Sequence, residues 1–243
     1  MLHASVCALL GPAAIAADSP PDVYVYSTYQ YCAFSGQDRA DELYEKVQKP
    51  LDDAAVKDGT ITSHGWMAHH TGGQWRRASY FTANGLDALM DADQKARSRV
   101  PSKDDARLDK EFSTICSSHD DYIWRRVAGN VGTATRGAAA FSTYYVCDQG
   151  REDQADELVK HTLGPMLDKM VQDGKLKTWG WNEHIVGGEY RRMATMSAAN
   201  VTSVMAARTA MIEALEESAA GTLLSNICPS HADYIWEIKF QAP

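Results

Sequence analysis

The sequence contains one pattern twice, and this duplication limits the fold more than any other feature. Ser27-Thr28-Tyr29 and the following Cys32 return as Ser142-Thr143-Tyr144 and Cys147, 115 residues further on. Near the end of each copy the spacing shortens to 112 residues, between Cys116 and Cys228. A repeat of this length is a whole domain rather than a solenoid unit of 20–50 residues. Further matched pairs are Pro50/Pro165, Trp66/Trp181, His69/His184, Arg76/Arg191, Arg77/Arg192, Tyr122/Tyr234 and Trp124/Trp236.

Composition narrows the class of protein and of partner. The 243 residues, 44% of them apolar, fit a globular chain of two domains. A net charge of −8 argues against nucleic acid or an anionic membrane as the main partner. No apolar run reaches the roughly 18 residues that a membrane span needs. We therefore expect a small-molecule ligand.

The N-terminus and the cysteines predict export. The apolar run from Ala4 to Ala17 ends in small residues that resemble a secretory cleavage site, although no Lys or Arg precedes it. We predict a signal peptide over 1–17 and a periplasmic or secreted protein. Cys7 lies in that segment, and the other four cysteines form two equivalent pairs, which indicates disulfides in an exported chain. The predicted domains are a first repeat over 22–127, a glycine-rich linker over 128–137 and a second repeat over 138–243.

Each repeat shows the same order of predicted elements. In the first, a Tyr- and Val-rich strand over 23–31 precedes a helix over 37–57 with one apolar face. Strands over 61–70 and 74–82 flank the hairpin signal Gly72-Gly73, and a helical stretch over 86–113 leads to a last strand over 122–127. This β-α-β-β-α-β order is the ferredoxin-like α+β arrangement.

That arrangement predicts how the cysteines pair. It places the first and last strands side by side and antiparallel, so the end of one lies beside the start of the other. Cys32 ends the first strand and Cys116 precedes the last, which predicts a Cys32–Cys116 disulfide. The same argument predicts Cys147–Cys228. Cys116-x-x-His119 also has a spacing that metal ligands adopt, but no fourth ligand is evident and we predict no metal site.

A four-stranded sheet with helices on one side leaves its other face bare, and two such sheets can cover each other. On its duplicated element order the chain resembles the dimeric α/β-barrel superfamily, with both units fused in one polypeptide. The resemblance implies two tandem ferredoxin-like βαββαβ repeats packed sheet to sheet, as a monomeric pseudo-dimer that either stands alone or assembles into a homo-oligomer. The superfamily includes cofactor-free monooxygenases, cyclases, isomerases and haem-dependent enzymes, and fold alone does not choose among them.

The matched histidines are the first candidates for chemistry. His69 and His184 each lie late in the second strand of their repeat, three residues after a tryptophan. Imidazole titrates near neutral pH, which suits acid–base catalysis or haem ligation. The alternative is a local hydrogen bond near the end of the strand.

The matched arginine pairs are the second candidates. Arg76 and Arg77, like Arg191 and Arg192, are adjacent in a strand and therefore point to opposite faces. An inward guanidinium needs a carboxylate, a carbonyl or an anionic ligand. We assign Arg76 and Arg191 to a catalytic role and Arg77 and Arg192 to ligand binding. The alternative is an ion pair within the fold, with Asp41/Asp156 or Glu42/Glu157 as partners.

Aromatic residues and one divergent stretch complete the predicted ligand site. The aromatic residues form either core packing or the wall of an apolar pocket. Met67 and Ala68 of the first repeat correspond to Asn182 and Glu183 of the second. We therefore expect the two sites to differ and the second to be more polar. The predicted ligand-binding set also contains Trp66, Trp181, Tyr29, Tyr144, Tyr122 and Tyr234.

These features lead to three hypotheses about function. The first is an exported small-molecule-binding protein or a cofactor-free enzyme of the isomerase, cyclase or monooxygenase type. Its ligand would be apolar or aromatic with an anionic or carbonyl group. The second is a haem protein with a histidine as axial ligand. The third is a non-catalytic structural or interaction module. Phosphate-loop, HExxH, GxSxG and CxxC motifs are absent, which argues against nucleotide, hydrolase and thiol-redox chemistry.

Overall fold

A computed structural model describes residues 22–130 and 136–242 of the chain. We refer to these two ranges as the first and second halves. The predicted signal peptide over 1–17 lies outside the described residues, as does the middle of the predicted linker. At the start of that linker, the last strand of the first half continues to Gly129.

The first half follows the predicted order with small changes of boundary. The second predicted helix is split into two, and Ser102 begins the later helix by accepting a hydrogen bond from the Asp105 amide. Its last strand begins at Cys116, directly after that helix. The elements are β1 (Val23–Cys32), α1 (Gln37–Lys57), β2 (Ser63–Gly72), β3 (Arg77–Asn84), α2 (Leu86–Arg97), α3 (Lys103–Ile115) and β4 (Cys116–Gly129).

The second half repeats this order. Its first helix is interrupted by a π-helical turn at Val159–Leu163, just before the helix position that Pro165 occupies. The elements are β5 (Ala139–Val146), α4 (Glu152–Leu158), α5 (Gly164–Gln172), β6 (Thr178–Val186), β7 (Arg192–Ala198), α6 (Val201–Leu215), α7 (Ala219–Ile227) and β8 (Ser230–Ala242).

The eight strands form one closed barrel in an α+β fold. The order around the barrel is β1-β3-β2-β8-β5-β7-β6-β4, and all neighbouring strands are antiparallel. The halves join at two seams, where β2 pairs with β8 and β4 pairs with β6. Each strand therefore has a hydrogen-bonded neighbour on both sides, which removes the exposed edges that two separate sheets would present.

The alternation of side chains along each strand separates two cores. On β1, Val25 and Tyr29 point into the barrel, while Tyr26 points toward the helices. Outside the barrel, α1 buries Ala40 and Leu43 at helical spacing against the sheet. The interior core draws on both halves and contains Val25, Tyr29, Trp75, Ala78, Tyr80, Tyr122, Trp124, Ala140, Tyr144, Met193, Tyr234 and Trp236.

The predicted disulfides Cys32–Cys116 and Cys147–Cys228 are both confirmed. In the first half, the pairing of β1 with β4 places the two cysteines opposite each other. The alternative of a metal site on these cysteines is wrong, because their sulfur atoms are bonded to each other. Two disulfides are consistent with an oxidising compartment. Across 22–130 and 136–242, the helices are all too short or too polar to cross a membrane.

The hairpin glycines are needed where the seams close. Gly72 has φ +108°, and a side chain there would overlap the backbone carbonyl oxygen of Asp233 across the β2–β8 seam. Gly187 has φ +145°, and a side chain there would overlap the Tyr122 ring across the β4–β6 seam. Both conformation and space therefore favour glycine at these equivalent positions.

Removal of either disulfide should destabilise the protein to a similar degree. The bonds join residues 84 and 81 positions apart, so chain-entropy estimates give a loss of about 4 kcal/mol for each. Urea unfolding of Cys32→Ser/Cys116→Ser and of Cys147→Ser/Cys228→Ser would measure it, with the two variants serving as mutual controls. A loss below about 1 kcal/mol in both would contradict the expectation.

Candidate functional site

His69 lies at the rim of the barrel, beside the hairpin between β2 and β3. Its Nε2 atom lies 2.6 Å from the Gly72 carbonyl oxygen, and its Nδ1 atom lies 3.0 Å from Nη1 of Arg76. Its ring contacts Tyr234 and Trp236 edge-on across the β2–β8 seam. Burial lowers the pKa of His69, and the positive charge of Arg76 lowers it further. The hydrogen bond to the Gly72 carbonyl opposes this shift by raising the pKa. The imidazole is therefore neutral near pH 7.

His184 occupies the equivalent place at the other seam. Its ring lies edge-on to Tyr122 and Trp124, and its Nδ1 atom lies 2.8 Å from Nη1 of Arg191. Burial lowers the pKa of His184, and the Arg191 guanidinium lowers it further. The predicted catalytic residues are thus brought together as two His–Arg pairs, one at each seam.

The two His–Arg pairs differ in local charge. Arg191 also donates to Glu152 at 2.7 Å. The residue equivalent to Glu152 in the first half is Gln37, which accepts a hydrogen bond from Arg77 at 2.8 Å. The Glu152 carboxylate therefore offsets the positive charge of Arg191. Arg76 has no carboxylate at the equivalent position.

Arg77 and Arg192 form ion pairs beneath the first helix of each half. Arg77 donates to both oxygens of Asp41 at 2.5 and 2.9 Å, and Trp66 Nε1 donates to the same carboxylate at 2.7 Å. Both guanidiniums are almost fully buried. The alternative that we considered, an ion pair with Asp41 and Asp156, is confirmed. The second half repeats the arrangement with Arg192, Asp156 and Trp181.

The predicted tyrosines fill one end of the barrel interior. Tyr29 and Tyr144 meet edge to face with ring centroids 5.3 Å apart. Tyr122 stacks on the neighbouring Trp124 at 4.9 Å, and Tyr234 makes the equivalent stack in the second half. Burial raises the pKa of Tyr29 to about 12 and that of Tyr122 to about 12. These phenols stay protonated at neutral pH and belong to the interior core, where Tyr29 and Tyr144 also line a small cavity.

The two polar residues expected to make the second half distinctive lie on opposite faces of β6. Asn182 points into the barrel, is 2% exposed and donates from Nδ2 to the Met193 carbonyl oxygen at 3.1 Å. Glu183 points outward and pairs with Arg125 of β4 across the seam. The structure does not bring the two together in one pocket.

The first half contains a cavity of about 280 Å³ between its sheet and its helices. Aromatic rings form much of the wall, and Tyr44 stacks on Trp66 at a centroid distance of 4.2 Å. A neighbouring cleft of about 660 Å³ shares Gln48, Asp52 and Asp109 with it. The lining of the cavity includes Tyr26, Thr28, Gln30, Tyr44, Gln48, Asp52, Trp66, Phe81, Asp93, Arg97, Asp109, Phe112, His119 and Asp121.

A half-buried polar cluster centred on Asp52 lies at the junction of the cavity and the cleft. Asp52 accepts hydrogen bonds from Tyr44 at 2.8 Å and from Gln48 at 2.7 Å. Its Oδ2 atom lies 3.9 Å from Nδ1 of the fully buried His64, whose Nε2 atom lies 2.8 Å from Asp53. Burial raises the pKa of Asp52, which makes this carboxyl a better proton acceptor than an exposed one.

The second half replaces this cluster with apolar side chains. Tyr44, Gln48 and Asp52 correspond to Val159, Leu163 and Leu167, and His64 corresponds to Trp179. The equivalent cavity shrinks to about 40 Å³. Trp179 reproduces only the contact of His64 with Asp53, because it donates to Asp168, the equivalent of Asp53, at 2.7 Å. The two sites differ as expected, but the pocket between sheet and helices is larger and more polar in the first half, not the second.

Sequence comparison between the halves could have found this cluster. We singled out residues that both copies keep, and those residues form barrel packing, buried ion pairs and the two His–Arg pairs at the rim. The cluster consists of residues that differ between copies, inside helices and strands that otherwise match. A change from Asp and His to Leu and Trp at buried positions was the signal.

The predicted axial histidines do not fit haem. Both ring nitrogens of His69 are hydrogen-bonded, one of them to a guanidinium, and His184 also faces an arginine. Both rings lie against aromatic stacks, and neither histidine lines the cavities described above. Within the part of the chain that the structure describes, no group of three or more His, Cys, Asp or Glu residues is placed to hold a metal ion.

Comparison with known proteins identifies the fold. A putative monooxygenase from Lactobacillus acidophilus superposes with a TM-score of 0.61 at 8% identity, over 91% of this chain and 96% of that one. An anthrone oxidase-like protein gives 0.54 at 12% identity, over 91% and 93%. A putative chlorite dismutase gives 0.54 at 6% identity, over 90% and 96%. No protein-family model matches the sequence, and no curated protein matches it significantly.

These similarities confirm the predicted resemblance at the level of fold. The chain has the α/β-barrel fold of the dimeric α/β-barrel proteins, in a single polypeptide. Identities of 6–12% carry no information about subfamily or substrate.

Loss of the Asp41 carboxylate should destabilise the protein more than loss of the Asp156 carboxylate. Asp41→Asn leaves Arg77 with no carboxylate partner among the described residues, whereas Asp156→Asn leaves Arg192 with Glu152 at 3.0 Å. We expect Asp41→Asn to cost about 3–5 kcal/mol, the usual cost of breaking a buried pair, and Asp156→Asn to cost less. Urea unfolding of both variants would measure this, and the reverse order would contradict the assignment.

The rim histidines should make stability depend on pH. Their folded-state pKa values lie below the unfolded value of about 6.5, so below that pH the unfolded chain binds protons that the folded protein does not. The free energy of unfolding should therefore fall as the pH drops from 7.5 to 5.5. His69→Gln/His184→Gln should show a smaller fall over the same range. Urea unfolding measures both proteins. An equal or steeper fall of the unfolding free energy in the variant would refute the lowered pKa values of the two histidines.

Proposed function

We propose that the protein binds a small aromatic molecule in the first-half cavity, with Asp52 as its acid–base group. The observation that carries the proposal is the replacement of Asp52 and its partners by leucine, valine and tryptophan in the second half, where the cavity is filled. A fold needs no buried carboxylate at this place, since the other copy packs without one. A buried polar cluster that costs stability is a typical feature of a functional site.

The lining favours a neutral ligand with a carbonyl or hydroxyl group. Tyr44 and Trp66 offer flat apolar surface, and Gln48 and Thr28 offer hydrogen bonds. Arg97, the arginine among the lining residues, is already paired with Asp93 at 2.7 Å. Acidic groups outnumber basic ones in the lining, which disfavours an anionic ligand. Of the two ligand types predicted from the sequence, the anionic one is therefore the weaker candidate at this site.

The chemistry supported by this arrangement is cofactor-free proton transfer. A carboxyl with a raised pKa can remove a proton next to a carbonyl group or from a phenol. Tyr44 and Gln48 hold the Asp52 carboxylate in place by donating to its two oxygens. His64 lies behind it, with its Nδ1 atom 3.9 Å from the Asp52 carboxylate, too far for a direct hydrogen bond. Enolisation of an aromatic ketone is the simplest reaction of this kind.

The residues that the sequence pattern assigned to catalysis take a different part in this proposal. His69, His184, Arg76 and Arg191 hold the hairpins and seams of the barrel through their hydrogen bonds to one another and to the backbone. Tyr29, Tyr144, Tyr122 and Tyr234 pack the interior that keeps the two halves together. Trp66 alone of the predicted set lines the proposed cavity.

The proposal extends to domain organisation and location. We propose that the halves are tandem ferredoxin-like repeats, 22–127 and 138–243, joined by a linker over 128–137. The same strand order in both halves, β4-β1-β3-β2 and β8-β5-β7-β6, supports this. We propose that the protein is periplasmic or secreted after removal of 1–17, which the two disulfides support. An interaction module remains the alternative.

A variant that copies the second half provides the test. Tyr44→Val/Gln48→Leu/Asp52→Leu gives the first half three of the four second-half residues and retains His64. We expect the variant to fold in a thermal unfolding experiment, because replacement of the Asp52 carboxyl and its two donors by apolar groups offsets part of the cost of losing the Tyr44 ring. Binding of 1-tetralone, a neutral bicyclic aromatic ketone, should be lost, as measured by calorimetry. Leu167→Met in the filled second half is the matched control and should keep binding.

Catalysis is tested separately from binding. Wild-type protein should accelerate exchange of the α-hydrogens of 1-tetralone for deuterium in D₂O, followed by NMR. Asp52→Asn should still bind the ketone but lose at least 100-fold in exchange rate, the size of a typical general-base contribution. Equal exchange in Asp52→Asn would eliminate the assigned role. Failure of 1-tetralone to bind wild-type protein, with no co-purified molecule in native mass spectrometry, would favour the interaction module.

A further inference from the structure

We propose a second ligand site inside the barrel, at the β4–β6 seam, that takes a small oxyanion carrying its own hydrogen-bond donor. The site shares only Tyr80 with the cavity under the first-half helices and does not depend on the function of that cavity. It occupies a space of about 80 Å³ on the interior face of the strands. Its polar lining includes Tyr80, Arg126, Arg136, Asn182 and Ser197, and Met67 and Ile238 of the β2–β8 seam complete the opposite side.

The two seams of the barrel differ sharply in polarity, although the halves are copies. At the β4–β6 seam, Arg126 lies opposite Asn182. At the β2–β8 seam, the equivalent residues Ile238 and Met67 lie opposite each other. An apolar pair therefore satisfies the packing at one seam. The polar pair at the other seam is not required for closure of the barrel.

Asn182 presents an acceptor that the described residues do not satisfy. Its side chain is 2% exposed, and its amide nitrogen is engaged with the Met193 carbonyl oxygen. No described donor reaches its Oδ1 atom, which is fully buried at the cavity. A buried acceptor without a donor typically costs about 1–3 kcal/mol. A ligand that supplies an O–H or N–H group would remove this cost.

The charge of the cavity favours an anion. Arg126 and Arg136 both contribute to the lining, and the lining residues include no Asp or Glu. The Arg136 guanidinium lies 4.4 Å above the Tyr80 ring, which holds it over the cavity. Burial lowers the pKa of Arg126 to about 10, and the charge of Arg136 contributes to this shift. An oxyanion between the two guanidiniums would offset the repulsion between their positive charges.

Size limits the ligand to a few non-hydrogen atoms. A cavity of 80 Å³ is about half the 150 Å³ of an engineered cavity that binds benzene. A hydroxycarboxylate as small as glycolate, or hydrogen phosphate, carries both a negative oxygen and an O–H group. These two share the chemistry that the positively charged lining and the Asn182 acceptor favour, and the experiment separates them.

Calorimetric titration at pH 7 and fixed ionic strength tests the proposal, with glycolate and inorganic phosphate as probes. We expect saturable binding of at least one of them, with one site per chain. The tighter of the two identifies the class of anion. Acetate has the charge of glycolate without its hydroxyl and should bind at least fivefold more weakly. Equal affinity for acetate and glycolate, or no saturable binding of either glycolate or phosphate, would overturn the proposal.

The other seam supplies the matched variant. Arg126→Ile/Asn182→Met reproduces the apolar pair of the β2–β8 seam, and binding should weaken at least tenfold while the far-ultraviolet circular dichroism stays unchanged. Asn182→Met alone should abolish the preference for glycolate over acetate, which tests the proposal even if the double variant fails to fold. Arg39→Met removes one exposed positive charge and should bind as wild type does. Wild-type affinity in Asn182→Met, or loss in Arg39→Met, would refute the site.

Discussion

The pairing of strands between the two halves is the interaction on which the rest of the structure depends. At both seams, backbone hydrogen bonds join the edge strand of one copy to the last strand of the other. Neither half could bury its inner face alone, because that face carries large aromatic side chains. Closure of the barrel buries Tyr29 and Tyr144 against each other and satisfies the backbone groups of four edge strands at once. The hairpin glycines, which leave room for the opposite strand, are part of the same requirement.

Closure also explains the roles of the most closely matched residues. His69 and His184 pack across the seams onto rings from the opposite half, and the adjacent arginines fix their orientation. Arg77 and Arg192 instead tie the barrel to its outer helices. Both copies retain these residues because both make the same contacts at the seams and beneath the helices. The shared pattern therefore describes how the fold is assembled.

The sequence predicted the fold well because the repeat exposed its architecture. Offsets between copies gave the order of strands and helices, and the arrangement of first and last strands gave both disulfides. The ion pair between Arg77 and Asp41 also followed, since an inward guanidinium needs a carboxylate. The resemblance implied a barrel, but the strand pairs that close it, β2 with β8 and β4 with β6, were not predicted, because strand pairing between distant segments leaves no local pattern in sequence. The cavity was missed because Asp52 and His64 have no equivalents, and a lone buried carboxylate is recognisable only once its surroundings are known.

Fusion of the two copies has a consequence for how such a protein can change. In a symmetric homodimer, every substitution appears at both seams and in both sheet–helix layers, so a destabilising polar group is introduced twice. In one chain, Leu167 and Trp179 can keep their layer tightly packed while Asp52 and His64 occupy the other. Met67 and Ile238 can likewise seal one seam while Arg126 and Asn182 diverge at the second. Covalent linkage thus allows the two copies to differ at equivalent positions, so that one sheet–helix layer is closely packed while the other contains a cavity.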